Sequence, residues 1–245
     1  MKAHSTWRGV PAWALPQYPI VSVQGGALAE ERPFRFIAGK LMARSLIYRN
    51  ASVYELAMLL LYGRHYASRY RAIAELIPAG SSVLDLCCGP ALLYHRHLRT
   101  KAVQYTGLDV NASFITRLIR RGGSGQVWDL RSEEALPPAD YVIMQASLYH
   151  FLPDASQVVD RMLQAARKRV IIAEPIRNLA TSNSRLLSLL GRLFTNPGTG
   201  EHSLRFTEAS LADFFSGYAS RVVESFTIAG GREKVYVLSK RIAAF

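Results

Sequence analysis

Ser82-Val83-Leu84-Asp85-Leu86-Cys87-Cys88-Gly89-Pro90-Ala91 is an apolar run that ends in a carboxylate, turns through small residues and opens a helix. About twenty residues later Gly107-Leu108-Asp109 ends a second apolar run in another carboxylate. A buried strand followed by a tight turn and a helix start points backbone N–H groups at one end of a sheet, and the second acid arrives at the neighbouring strand end. Such a layout holds a nucleoside.

The turn says which nucleosides fit. Gly89-Pro90-Ala91-Leu92-Leu93-Tyr94 fails the G-x-G-x-x-G spacing, and no small residue follows where a pyrophosphate has to pack. A dinucleotide is therefore disfavoured, while a nucleoside without phosphates needs no such space. Asp109, twenty positions after Gly89, is placed to accept both hydroxyl protons of a ribose.

Outward from this stretch the pattern alternates. Strands are expected at Val83–Cys87, Gln104–Val110, Gln126–Leu130, Tyr141–Ala146, Val170–Ala173, Val222–Ile228 and Lys234–Leu238, with helices at about Ala91–Leu98, Ala112–Arg120, Ala155–Ala166, Ser182–Phe194 and Glu208–Tyr218. Apolar strands without period-two polarity argue for a largely parallel sheet covered on both faces. Ala229-Gly230-Gly231-Arg232 is short enough only for a hairpin, so the last strand is expected to be antiparallel. Upstream, residues 1–33 carry prolines and three aromatics without a period, Phe36–Arg49 reads as a basic amphipathic helix, and a second helix is expected from about Ser52 to Leu76, stopped by Pro78-Ala79-Gly80.

These features resemble the class I S-adenosylmethionine (SAM) dependent methyltransferases over about residues 66–245. The resemblance implies a Rossmann-like α/β fold with a seven-stranded, mostly parallel sheet whose seventh strand inserts antiparallel beside the fifth. It divides the chain into an N-terminal arm and basic helix (1–50) and a methyltransferase domain (51–245) with a lid insertion at about 178–219. The family carries an acid and then three glycines at alternate positions, which here are Asp85 followed by Cys87, Gly89 and Ala91. Carried over, Asp85 orients the turn and holds the ammonium of the methionine portion, directly or through water. Asp109 holds the ribose, Val110 lies against adenine, Asp129 bonds the adenine amino group with Trp128 or Leu130 flanking the ring, and Gln145 passes beneath the methionine portion.

The acceptor side is read from Ser147-Leu148-Tyr149-His150-Phe151, which looks like the serine-leucine-histidine-histidine ending of methyltransferases of small molecules and lipid-like quinones. The Asn/Asp-Pro-Pro-aromatic tetrad of enzymes that methylate amino groups of DNA bases or glutamine is missing. His150 is a candidate to take a proton from a hydroxyl acceptor, with a structural histidine as the alternative. Glu174 is open to three roles: orienting His150, binding substrate, or capping a loop. Tyr149, Tyr66 and Tyr70 are expected to line an aromatic acceptor cavity, under a lid with the stripe Leu186, Leu187, Leu189, Leu190, Leu193 and Phe194. That stripe also suits ordinary core, a membrane surface or a partner protein. His95 and His97 fall on different helix faces, and no metal site is expected.

Charge and cysteine usage frame the partners. The 245 residues carry a net charge of +12, and residues 1–80 hold ten Lys/Arg against four acids, a balance that favours anionic partners. Peripheral contact with an anionic membrane surface stays open, and nucleic acid is disfavoured by the missing tetrad. Cys87 and Cys88 are the only cysteines, which fits a reducing, cytoplasmic compartment. Pro11, Pro16 and Pro19 interrupt the apolar N-terminal stretch and argue against a signal peptide, and the longest apolar run, Leu56 to Gly63, falls short of a bilayer span. The expectation is a SAM-dependent methyltransferase with a small or lipid-like, largely apolar acceptor. The alternatives are an RNA or protein methyltransferase using the basic N-terminal region, and a non-catalytic SAM-binding partner protein.

Overall fold

The opening stretch forms a strand, Ser82–Leu86 (β1), at the centre of the sheet. The computed structural model describes residues 66–176 and 205–240. The expected arm and basic helix at 1–50, the helix residues before Tyr66, the helix Ser182–Phe194 and most of the lid lie outside the described residues.

The remaining strands are Gln104–Asp109 (β2), Ser124–Val127 (β3), Ala139–Gln145 (β4), Ala166–Pro175 (β5), Val222–Thr227 (β6) and Glu233–Ser239 (β7). They form one seven-stranded sheet in the order β3-β2-β1-β4-β5-β7-β6. β1 to β5 pair in parallel, and β7 pairs antiparallel with both β5 and β6. The expected hairpin joins β6 to β7 through Gly230 (φ 100°) and Gly231 (φ 66°), two left-handed residues in a turn that a side chain would strain.

Side chains alternate across β1, and both faces are apolar as expected. Leu84 and Leu86 enter a core with Val142, Met144, Val170 and Ile172, covered by the helices Ala155–Ala165 (reached after β4) and Glu208–Ser216 (before β6). Val83 enters a second core with Tyr141, Ile143, Ile171, Val235 and Val237, covered by the helix Tyr66–Glu75 (α1). In chain order the helices between are Ala112–Arg120 (α2), Ala155–Ala165 (α3) and Glu208–Ser216 (α4). A buried ion pair, Arg69 to Glu233 at 2.9 Å, ties α1 to the start of β7.

Two glycines let α2 lie close on the sheet. A Cβ at Gly107 would stand 2.8 Å from Cys88 Sγ and 2.9 Å from Leu118 Cδ2, and one at Gly125 would stand 2.9 Å from the Gly107 carbonyl. The glycine preceding Leu108-Asp109 is thus a packing requirement beneath the site.

Four elements differ clearly from the sequence reading. β3 starts two residues earlier than expected and stops at Val127, although Trp128 still donates its N–H to the Asp109 carbonyl at 3.0 Å. β5 begins at Ala166, which pairs with Ala139; the ladder with β4 then shifts register and resumes at Arg169, with Arg167 and Lys168 exposed between. The helix after the turn is not a regular α-helix: Tyr94–Leu98 is a π-helical turn followed by a 3-10 turn over Arg99–Lys101. α4 is shorter than expected, held at its start by Thr207, whose hydroxyl accepts from Ser210 N–H in a reciprocal cap.

Candidate functional site

The carboxyl ends of β1, β2, β3, β4 and β5 bring the expected acids to one rim. The turn after β1 places Cys87, Gly89 and Ala91 at φ 53°, 53° and 52°. Alternate left-handed residues are what three alternate glycines would supply most cheaply, so the family spacing is here a conformational demand that Cys87 and Ala91 meet under strain. Nothing lies within 4 Å of a Cβ added to Gly89.

Asp109 ties this turn to the next unit. Its Oδ2 accepts from Gly89 N–H at 2.9 Å and its Oδ1 from Asn111 N–H at 2.7 Å. Asn111 in turn caps α2, accepting from Ser113 N–H at 3.0 Å. Asp109 thus stands at the rim between the turn after β1 and the start of α2. Val110, next to it, is half exposed.

Asp85 lies deeper than the sequence reading implied. It is 2% exposed and accepts a 2.7 Å bond from the Tyr105 hydroxyl, whose ring stacks on Tyr94 at 4.5 Å. Burial pushes its carboxyl up to about 7 against the lowering effect of the Tyr105 bond. Asp85 is thus tied to β2 through Tyr105, the partner that strand periodicity alone did not reveal. Burial, reinforced by Asp109 and Asp85, also raises the Cys87 thiol, so Cys87 stays uncharged.

Asp129 is exposed and accepts from Arg131 N–H at 2.9 Å, while Leu130 is buried in the core. Trp128 packs half-buried beside them with its indole N–H buried and unbonded. Gln145 closes β4 with its Oε1 likewise buried and unbonded. Glu174, 1% exposed at the end of β5, accepts from the N–H groups of Ser147 and Leu148 through Oε1, at 2.7 Å each, and its Oε2 is buried without a partner. Burial pushes the Glu174 carboxyl up to about 7. Of the three roles left open for Glu174, this geometry supplies the cap: it holds the start of the 3-10 turn Leu148–Phe151, which carries Tyr149 and His150.

Tyr149 and His150 stand ring to ring at 4.0 Å. Arg205 lies over the Tyr149 ring at 4.1 Å, and Arg131 lies over Phe151 at 5.6 Å. Burial and these two arginines lower His150 to about 4. The sequence reading missed both arginines. Arg131 directly follows the strand-end segment Asp129-Leu130, a usable signal, whereas Arg205 had no local motif. Tyr66 and Tyr70, expected to line the acceptor cavity, are instead brought into the second core, 2% and 7% exposed, with their rings edge to face at 5.5 Å.

The donor set at this rim fits a nucleoside cofactor bearing an amino acid. Buried polar groups are nearly always bonded, and three residues at the carboxyl edge of the parallel strands each leave one atom unbonded: a donor on Trp128 after β3, and acceptors on Gln145 and Glu174 at the ends of the neighbouring β4 and β5. SAM offers adenine nitrogens, a ribose diol and an ammonium that complement them.

Comparison with known proteins agrees on the fold. The sequence profile of a family described as methionine biosynthesis protein MetW matches residues 67–193. No curated protein matches the sequence. Among solved structures, magnesium protoporphyrin IX methyltransferase from Synechocystis, with bound S-adenosylhomocysteine (SAH), superposes with a TM-score of 0.56 at 15% identity, covering 82% of this chain and 99% of that one. The [4+2]-cyclase SpnF superposes with a TM-score of 0.54 at 14% identity, covering 73% of this chain and 83% of that one. The fold is that of the class I SAM-dependent methyltransferases. A cyclase on the same fold shows that the architecture alone does not choose the reaction.

Proposed function

The chain belongs to the family of the methionine biosynthesis protein MetW, and from that premise we propose that it is a SAM-dependent methyltransferase acting on a small or lipid-like, largely apolar acceptor by in-line displacement. The observation that supports this most is the rim itself: Asp109, clamped to Gly89 and Asn111, shares the carboxyl edge of the parallel strands with the unbonded buried atoms of Trp128, Gln145 and Glu174. When bound, SAM supplies an electrophilic methyl group on a sulfonium.

The chain's own residues bind, orient and exclude water. Asp109 receives the ribose hydroxyls, Trp128 donates toward adenine, Asp129 and Val110 border the ring, and Gln145 and the Cys87–Ala91 turn hold the methionine portion. Glu174 keeps Tyr149 and His150 in place through the Ser147 and Leu148 amides. His150, held neutral at pH 7, accepts a hydrogen bond from an acceptor hydroxyl but is a weak base, so positioning supplies most of the acceleration.

That same weak base favours a second reading, a SAM-binding partner protein that does not turn over. Calorimetric titration with SAM and SAH tests the cofactor. Both are expected to bind, with loss of binding in Asp109→Ala while the circular dichroism is unchanged; failure of the folded wild-type protein to bind either removes both readings. A methyl-transfer assay against apolar hydroxyl, amine and acid acceptors then separates an enzyme from a silent binder.

A further inference from the structure

We propose that Arg205 and Arg131 form a receiver for a carboxylate on the acceptor, so that the acceptor is an apolar or aromatic molecule bearing an acid group. This rests on the methyltransferase reading of the same rim and names the substrate class it left open.

The Arg205 guanidinium lies over the Tyr149 ring at 4.1 Å, and one terminal nitrogen is buried with no hydrogen-bond partner. Stacking on tyrosine accounts for the ring contact but leaves that donor unsatisfied, and a buried charged donor without an acceptor is costly. Three other described arginines, even where one nitrogen is left unbonded, each have an ion-pair or hydrogen-bond partner in the protein. Arg69 pairs with Glu233, Arg161 donates to the Leu130 and Glu134 carbonyls at 2.6 Å each, and Arg169 donates to Ser239 Oγ at 2.9 Å. Arg205 and Arg131 have no carboxylate partner among the described residues.

Arg131 completes the receiver. One of its terminal nitrogens donates to the His150 carbonyl at 3.4 Å and its guanidinium faces Phe151 at 5.6 Å, which sets it on the same 3-10 turn that Arg205 overlies through Tyr149. The two charges meet one short segment, Arg205 over the Tyr149 ring and Arg131 at the His150 carbonyl and the Phe151 ring, and both oppose protonation of His150. A guanidinium with an unsatisfied terminal nitrogen is matched by a carboxylate oxygen, and the half-buried rings of Tyr149 and Phe151 put apolar surface beside the two cations. The net charge of +12 draws such an anion toward the protein.

The test uses the full-length protein with SAH, titrated calorimetrically with 4-phenylbutyrate and with its neutral isostere 4-phenylbutyramide. The acid is expected to bind at least ~10-fold more tightly than the amide, as for a carboxylate received by a desolvated arginine. Arg205→Gln, and independently Arg131→Gln, should shrink that ratio toward one with melting temperature unchanged. Arg205→Lys should restore only part of it, and Lys168→Gln, on β5 beside Asp140, should leave it intact. Equal binding of acid and amide, binding of neither, or a preference that survives both arginine substitutions overturns the proposal. SAH binding is read on the same samples without probe, so a failure of the cofactor reading shows separately from a failure of the carboxylate receiver.

Discussion

Oδ2 of Asp109 accepts a 2.9 Å hydrogen bond from the backbone N–H of Gly89, which joins two strand ends twenty residues apart in sequence through one carboxylate. The other oxygen of the same group accepts from Asn111 N–H at 2.7 Å. An amide in its place has a single oxygen for these two donors. Asp109→Asn is therefore expected to cost about 1–3 kcal/mol of stability and to weaken SAH binding by at least ~10-fold. Urea denaturation and calorimetry check the two effects, and a variant that keeps both would remove Asp109 from the cofactor site.

The turn that Asp109 holds makes a second prediction, about backbone conformation. Gly89 sits at φ 53° with open space around its missing Cβ, so Gly89→Ala meets no clash and should still cost about 1 kcal/mol through left-handed strain. Ala91 already bears that strain at φ 52°, and Ala91→Gly should be neutral or stabilising by up to ~1 kcal/mol. Thermal melts of the two variants should move in opposite directions or leave Ala91→Gly unchanged.

These residues also show how far the sequence could be read. Alternation of apolar runs with helical patterns, and the short Ala229–Arg232 link, led to the sheet and its antiparallel end because period and loop length are local properties. The acids at strand ends were legible for the same reason. Cys87 and Ala91 were legible only as residues standing where the family carries glycines, whereas the structure shows left-handed backbone, which depends on φ and leaves no trace in residue size. Tyr105 under Asp85, Glu174 under Ser147, and Arg205 over Tyr149 join residues 20, 27 and 56 positions apart. Such pairings are set by sheet order and register, which no single segment encodes. Tyr66 and Tyr70 show the reverse case: an aromatic stripe at helical spacing that serves the core.

Buried carboxyls give a pH prediction with a definite sign. Glu174 is raised from 4.5 to about 7 in the folded protein, chiefly by burial, so the fold retains a proton that the unfolded chain gives up. Its contribution to stability is full below about pH 4.5 and is lost as pH rises through about 7. Glu174→Gln keeps an oxygen for the Ser147 and Leu148 amides and has no charge to bury. It should match wild type at pH 5 and be more stable at pH 8 by on the order of 3 kcal/mol. Asp85→Asn should behave alike, since Asp85 is raised from 3.8 to about 7 by burial. Urea midpoints at the two pH values decide it; a larger loss at pH 8 would mean that both carboxylates are stabilised as anions.

Cation placement at the acceptor rim gives the last prediction. His150 is lowered from 6.5 to about 4 by burial, Arg205 and Arg131, so the unfolded chain binds a proton there at pH values where the folded protein does not. Its contribution to stability is present above about 6.5 and is lost as pH falls toward about 4. In a proton NMR titration, with the resonance assigned by its disappearance in His150→Gln, His150 should titrate near 4 and stay neutral at pH 7. Arg205→Gln removes one of the two charges and should move the midpoint upward, while burial and Arg131 keep it below 6.5. A bound carboxylate would act in the same direction by offsetting one of the two arginine charges, which makes His150 a better base when an acidic acceptor is in place than when the rim is bare. An unmoved midpoint in Arg205→Gln would show that burial alone sets it and would dissolve the coupling between the receiver and the base.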